Sequence, residues 1–258
     1  GVPIQKVNTM NKPFRDSEEE VWAFVEEELE TALAFLGTSS NCYYVSRDAA
    51  LALKARVMLE RGKKAEATAL AEGLIKDGKY KLDSFDKIFR GGANTEVIFS
   101  FQCLAEESNI TISTLFYTYA HPNHGSYIYR PTNEVMNMYE DKDKRKEVSI
   151  ISVGAEPCIN KYPSGQTGTD PVVMSRLAEM YLISAEAQGL PKGLERLNEL
   201  RKERGLDAVN PKDDEEFIEC ILDERRKELL AEGFRYYDLP IPGKEMISNP
   251  NLEPNPGY

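Results

Sequence analysis

The sequence predicts a mainly α-helical protein built of stacked helical hairpins, interrupted by one irregular, loop-rich segment with short strands. Three observations predict it. Apolar residues recur at helical spacing in two blocks, about 17–80 and 172–232. In the second block, RLAEMYLISAEA, LERLNELRKERGL and ILDERRKELLAEGFRYYDL carry arginines and glutamates inside the apolar period instead of on a separate solvent face. A helix that is apolar nearly all round lies between neighbours, so Arg176, Glu179, Glu186, Arg225 and Arg226 are expected to meet as ion pairs. Between the blocks, residues 90–170 lose that period and are rich in Gly, Pro, Ser, Thr and Tyr.

The elements follow in order. Ser17 with Glu18, Glu19 and Glu20 forms a capping box, and acids in a first helical turn complement the helix dipole. Val21, Phe24, Val25, Leu29, Ala32, Leu33 and Leu36 then make one buried stripe, Gly37 ends the helix, and Trp22 at its edge reads as packing. Ser46 or Asp48 opens the next helix, which carries Leu51, Ala55, Met58 and Leu59 and stops at Gly62. A third helix carries Ala67, Ala71, Leu74 and Ile75 and closes at Asp77-Gly78. Two antiparallel helices with small residues at their crossing resemble a tetratricopeptide unit. The same helix, Gly turn and helix pattern returns at residues 173–204, across Gly189-Leu190-Pro191. Such repeats need about three stacked units, so the helices near 17–36 and 214–232, or a preceding piece, are expected to complete the stack.

In the irregular segment, Glu96 to Phe101 reads as a strand, and a short helix is expected near Thr132 to Glu140. Leu115, Tyr117 and Tyr119 alternate before a Pro-Asn-His-Gly turn, and Tyr127 and Tyr129 alternate after it. A hairpin there places the four tyrosine rings on one face. Aromatic rings pack on the flat C–H faces of sugars, while Asn109, Asn123 and Arg130 lie near enough in sequence to bond hydroxyls. The alternative is that the rings form a satellite core beneath the helices.

Composition narrows the function classes. The 258 residues, 41% of them hydrophobic, can bury a sizeable core and are taken as one domain, residues 1–258. A formal net charge of −11 with dispersed cations disfavours nucleic acid and anionic lipid surfaces. Cys42, Cys103, Cys158 and Cys220 form no C-x-x-C pair, and Pro122 and Gly125 break any helix that would align His121 with His124, so no metal site or cofactor is expected. Glu224, Glu228, Glu232 and Asp238 could pass for hydrolytic carboxylates. With 43 acidic residues such pairs arise by chance, and a glycosidase needs two held roughly 5–9.5 Å apart across a cleft. Together with Arg225, Arg226 and Arg235 they read as ties between the last helix and its neighbours.

The chain resembles the SusD/RagB family. The resemblance rests on GVPI, SRDAALALKARVMLERGKKAEATALAEGLIKDGKYKL, YRPTNEVMNMYEDKDKRKEVS, RLAEMYLISAEA, LNELRKERGL, DERRKELLAEGFRYYDL and the final NPGY, in the family's order. It implies a tetratricopeptide-like superhelix that binds oligosaccharides without turnover at the outer-membrane surface. It also implies that the bound glycan is passed to a SusC-like TonB-dependent transporter. Family members carry a lipidated cysteine and further helices ahead of a GVPI-like segment. That portion, and the anchor to the membrane, are expected to be absent from this chain, with Cys42 too far inside to serve. The competing expectation is a tetratricopeptide-like scaffold that binds a protein and has no sugar site.

Overall fold

Helix α1 (Glu18–Phe35) begins at the capping box: Ser17 Oγ accepts from the Glu20 N–H at 3.2 Å, and Glu20 Oε2 accepts from the Ser17 N–H at 2.8 Å. The computed structural model describes residues 2–8, 10, 13–90, 93–107, 112–122 and 124–238. Asn109, Asn123 and the NPGY terminus lie outside the described residues. Helix α2 (Arg47–Glu60) is capped by Ser46, whose Oγ accepts from the Ala49 N–H. It turns at Gly62, where φ is +69°, into α3 (Lys64–Lys76). Helix α4 (Phe85–Phe89) leads to β1 (Val97–Phe101). The irregular segment holds α5 (Ile112–Phe116), α6 (Asn133–Asn137, capped by Thr132) and α7 (Lys146–Ser149). It ends in the hairpin β2 (Ile150–Val153) and β3 (Glu156–Ile159) and in β4 (Val172–Arg176). Helices α8 (Leu177–Gln188), α9 (Lys192–Glu203), α10 (Asp214–Glu228) and the single turn α11 (Arg235–Asp238) complete the described chain.

The fold is mainly α, with tetratricopeptide-like hairpins α2–α3 and α8–α9. The second hairpin stacks directly on the first: α1 packs on α2, α2 on α3, α3 on α8, α8 on α9, and α10 against both α8 and α9. Helix α8 is therefore the middle layer. Its Leu177, Met180 and Ile183 join Leu29, Ala55, Met58, Ala67, Ala71 and Leu74 in one core. Its Ala178, Leu182 and Ala185 join Leu197, Leu200, Phe217 and Ile221 in another. This double burial explains why α8 is apolar nearly all round. Small residues set the spacing, most tightly at Gly193, where a Cβ would lie 2.1 Å from the Ala185 carbonyl oxygen.

One expected helical stretch is a strand. Residues 172–176 pair antiparallel with β1, Val97 opposite Arg176 and Phe101 opposite Val172. The β-branched Val172 and Val173 suit a pleated surface, and β1 needs a partner for its backbone groups. The β1–β4 pair ties the irregular segment to the entrance of α8.

Candidate functional site

The expected tyrosine hairpin does not form. Its first arm is α5, whose terminal carbonyls lack intrahelical partners and are met by the second arm instead. Thr114 O accepts from the Ser126 N–H at 2.6 Å, and Leu115 O from the Tyr129 N–H at 3.0 Å. The first pair of rings, Tyr117 and Tyr119, therefore follows the helix end in a bend and a turn and not in a strand. Tyr117 (0% exposed) and Tyr127 (7%) enter a small core with Cys158, while Tyr119 (71%) and Tyr129 (56%) face solvent. The Tyr117 hydroxyl donates to Asn160 Oδ1 at 2.8 Å, and that of Tyr127 to the Pro157 carbonyl. Burial pushes both phenols above their ordinary pKa. Two of the four rings thus serve as a satellite core and two remain available.

The buried pair fixes the loop that carries the exposed pair. Gly125 comes so close to Tyr117 that a Cβ would lie 2.0 Å from its carbonyl oxygen. Tyr127 sits at a φ of +52° and His124 at +43°, the left-handed region that L-residues rarely enter. The imidazole of His121 stacks on Tyr117 with centroids 4.2 Å apart, and His124 Nδ1 lies 3.0 Å from the Tyr119 carbonyl oxygen. The two imidazoles are thus engaged with different groups of the loop. Burial lowers the His121 pKa, with His124 adding to it. The exposed Tyr129 ring rests on Phe116 at 5.8 Å, which stacks on buried Tyr162 at 5.9 Å. Arg130 extends its guanidinium over the Tyr127 ring, 4.3 Å from the centroid.

The acidic and basic residues singled out in the sequence lie behind this surface. Glu228 is fully buried and meets three guanidiniums: Arg145 at 2.8 Å, Arg204 at 2.8 Å and Arg176. Glu96 bridges Arg176 and Arg204 at 2.9 Å each, and Glu232 binds Arg176 at 3.0 Å and Lys161 at 2.7 Å. Burial alone would raise the Glu228 carboxyl, but Arg204, Arg176 and Arg145 outweigh it and hold the group well below the usual carboxylate range. Glu224 binds Arg201 at 2.7 Å as well as Arg145. Glu179 takes both nitrogens of Arg56 at 2.6 and 2.8 Å, joining α8 to α2. Arg225 binds Asp238 at 2.6 Å. Glu186 is half-buried; burial raises its carboxyl and Arg225 pulls it back. Arg226 reaches exposed Glu134, and Arg235 stands in solvent. Sequence reasoning missed Glu96, Arg145 and Lys161, which sit in or beside irregular chain with no period to mark them, and did not single out Arg204 at the end of α9.

A surface groove of about 370 Å³ was also missed. Trp22, Phe234 and Tyr237 line it with Arg56, Glu60 and Arg225. Trp22 thus both packs against the α1–α3 core and lines a groove.

Comparison with known proteins places this architecture. A model of the SusD family matches residues 158–239. The SusD-like protein P38 of Formosa agariphila is 26% identical over 95% of this chain and 66% of its own length. Over residues 158–239 the chain is similar to the SusD family. A solved SusD superfamily protein from Bacteroides vulgatus superposes with a TM-score of 0.77 at 26% identity, covering 93% of this chain and 59% of that one. Surface glycan-binding protein A from Bacteroides uniformis shares the fold with a TM-score of 0.78 at 21% identity, covering 96% and 62%. The chain spans between 59 and 66% of the length of these relatives. The segment matched by the family holds Glu224, Glu228, Glu232 and their arginine Arg176, while the tyrosine loop precedes it.

Proposed function

We propose that this protein binds oligosaccharides without altering them, at the outer-membrane surface, and delivers them to a SusC-like TonB-dependent transporter. The observation that carries the reading is the loop of residues 117–122 and 124–130: Tyr117 and Tyr127 are buried and anchor it, and two exposed rings, Tyr119 and Tyr129, project from it near Arg130. A pre-set aromatic surface loses little conformational entropy when a sugar face settles on it. Binding near 1 mM needs only about 4 kcal/mol, which a ring and a few hydrogen bonds supply. The relative named for glycan binding shares the fold, which supports carbohydrate as the ligand class. The carboxylates of Glu224, Glu228 and Glu232 are sealed among arginines and lysine, which supports binding without hydrolysis. Delivery to a transporter and the surface location rest on the family resemblance. No helix among the described residues is long and apolar enough to cross a membrane.

A glycan panel tests the reading. Tyr129→Ala is expected to weaken the bound glycan by about 3- to 10-fold, the equivalent of about 0.5–1.5 kcal/mol for one ring contact, with thermal stability unchanged. Tyr119→Ala is expected to act likewise. A second reading, a protein-interaction scaffold without a sugar site, is favoured by one observation. An apolar groove of about 260 Å³ lies between α1, α2 and the strand pair, lined by Leu29, Ala32, Val45, Leu53, Phe99 and Met174. A blank panel together with unaffected tyrosine variants moves that reading ahead.

A further inference from the structure

We propose that Arg130 makes this surface selective for acidic glycans, those bearing a carboxylate or a sulfate ester; the inference rests on the glycan-binding reading above. Arg145, Arg176 and Arg204 hold carboxylates in the interior, and Arg61, Arg196 and Arg226 do so nearer the surface. Arg130 does not. It is exposed, its guanidinium lies 4.3 Å from the Tyr127 centroid, and among the described residues no carboxylate is within ion-pair distance of it. Arg15, Arg47 and Arg235 are also exposed without a carboxylate, but none of them rests on a ring. In a chain with 43 acidic and 32 basic residues, an exposed guanidinium seated on a buried ring, with no carboxylate beside it among the described residues, is open to an anion.

The chemistry follows from the planar fork. A guanidinium stacked on a ring keeps its in-plane N–H groups open, and their spacing matches two oxygens of a carboxylate or sulfate. The ring beneath is fixed by burial, by the bond from its hydroxyl to the Pro157 carbonyl, and by the left-handed backbone at φ +52°. The cation is therefore pre-set, and little rotamer freedom is lost on binding. Tyr129, next in the chain, offers its exposed ring to the sugar face. The nearby carboxylate of Glu156 is occupied by the Thr118 hydroxyl. The remaining excess of negative charge acts at longer range, and at about 0.15 M ionic strength fields decay over ~8 Å. That excess disfavours dense polyanions and leaves oligosaccharides with an isolated acidic group as the preferred class.

Binding of three matched oligosaccharide sets, galactans ending in one galacturonate, galactans bearing one sulfate ester and neutral galactans, to the full chain and to Arg130→Gln, Arg130→Lys and Tyr129→Ala tests this. Both acidic sets, or one of them, are expected to bind at least fivefold tighter than the neutral set, and the preferred set names the anion. Arg130→Gln is expected to weaken the acidic sets at least fivefold more than the neutral set and so remove the preference, Arg130→Lys to restore part of it, and Tyr129→Ala to weaken every set alike. The acidic preference is also expected to shrink between 50 and about 500 mM salt. Equal binding of acidic and neutral sets, or a preference that survives Arg130→Gln, overturns the inference and leaves the glycan reading intact. A panel blank for all three sets overturns both.

Discussion

Lys161 carries a positive charge into a site with no solvent face. Its Nζ donates to the Glu228 carbonyl at 2.9 Å and to Glu232 at 2.7 Å, between the rings of Phe85 and Phe89. Burial lowers its pKa to about 8, against the opposing pull of Glu232. In the unfolded chain the group titrates near 10.4, so between these values the unfolded state binds more protons and stability rises with pH. The cost of burying the charge is complete below about 8 and is relieved toward pH 10, by up to roughly 3 kcal/mol. Urea denaturation of the wild type and Lys161→Met, each at pH 7 and pH 9.5, checks this. The wild type is expected to gain on the variant as pH rises, and a constant difference contradicts it. At this scale the sequence was partly readable. Glu224, Arg225 and Glu232 show themselves because charges inside an apolar helical period demand partners. Glu96 and Lys161 do not, because their ion-pair partners lie 71 or more residues away and their own neighbours are irregular. The alternation of Tyr117, Tyr119, Tyr127 and Tyr129 was visible, but which rings turn inward depends on Cys158 and Asn160, which come from β3 and the residue after it.

Element ends were the most readable feature. Ser17 and Ser46 cap α1 and α2 through side-chain bonds to backbone N–H groups, an interaction confined to four consecutive residues and so visible locally. Strand β4 was not visible, because a run such as VVMSR suits a helix or a strand equally until β1 is beside it. Helix α5 hid for a similar reason: the alternation of Leu115, Tyr117 and Tyr119 runs across its C-terminal end and mimics a strand, and the backbone bonds that meet its last carbonyls come from residues 126 and 129. One element contact can be tested alone. Helices α8 and α9 cross at Gly193, where an added Cβ would meet the Ala185 carbonyl 2.1 Å away, so the helices must part. Gly193→Ala is expected to destabilise by about 1–3 kcal/mol, the usual penalty for overpacking. A urea midpoint unchanged from wild type contradicts the crossing geometry. Gly73, which has open space at the same Cβ position in α3, serves as the control.

The whole molecule is held by contacts that join its ends. Helix α3 packs on α8, about 100 residues later, and Met180 of α8 lies in the core otherwise supplied by α1, α2 and α3. Met180→Ala is expected to cost about 2–5 kcal/mol and to loosen both hairpins together. Amide hydrogen exchange checks it: protection should fall in α2, α3 and α8 alike, whereas loss confined to α8 shows that the hairpins fold independently. The sequence by itself determined the fold class, the two hairpins, the ends of the first helices and the demand for buried ion pairs, since each follows from periodicity or from groups a few residues apart. Only the tertiary structure decided that the second hairpin stacks on the first, which arginine holds which carboxylate, and which tyrosines meet solvent. Those outcomes depend on contacts between segments distant in the chain, and the energy of such a contact has no local signature.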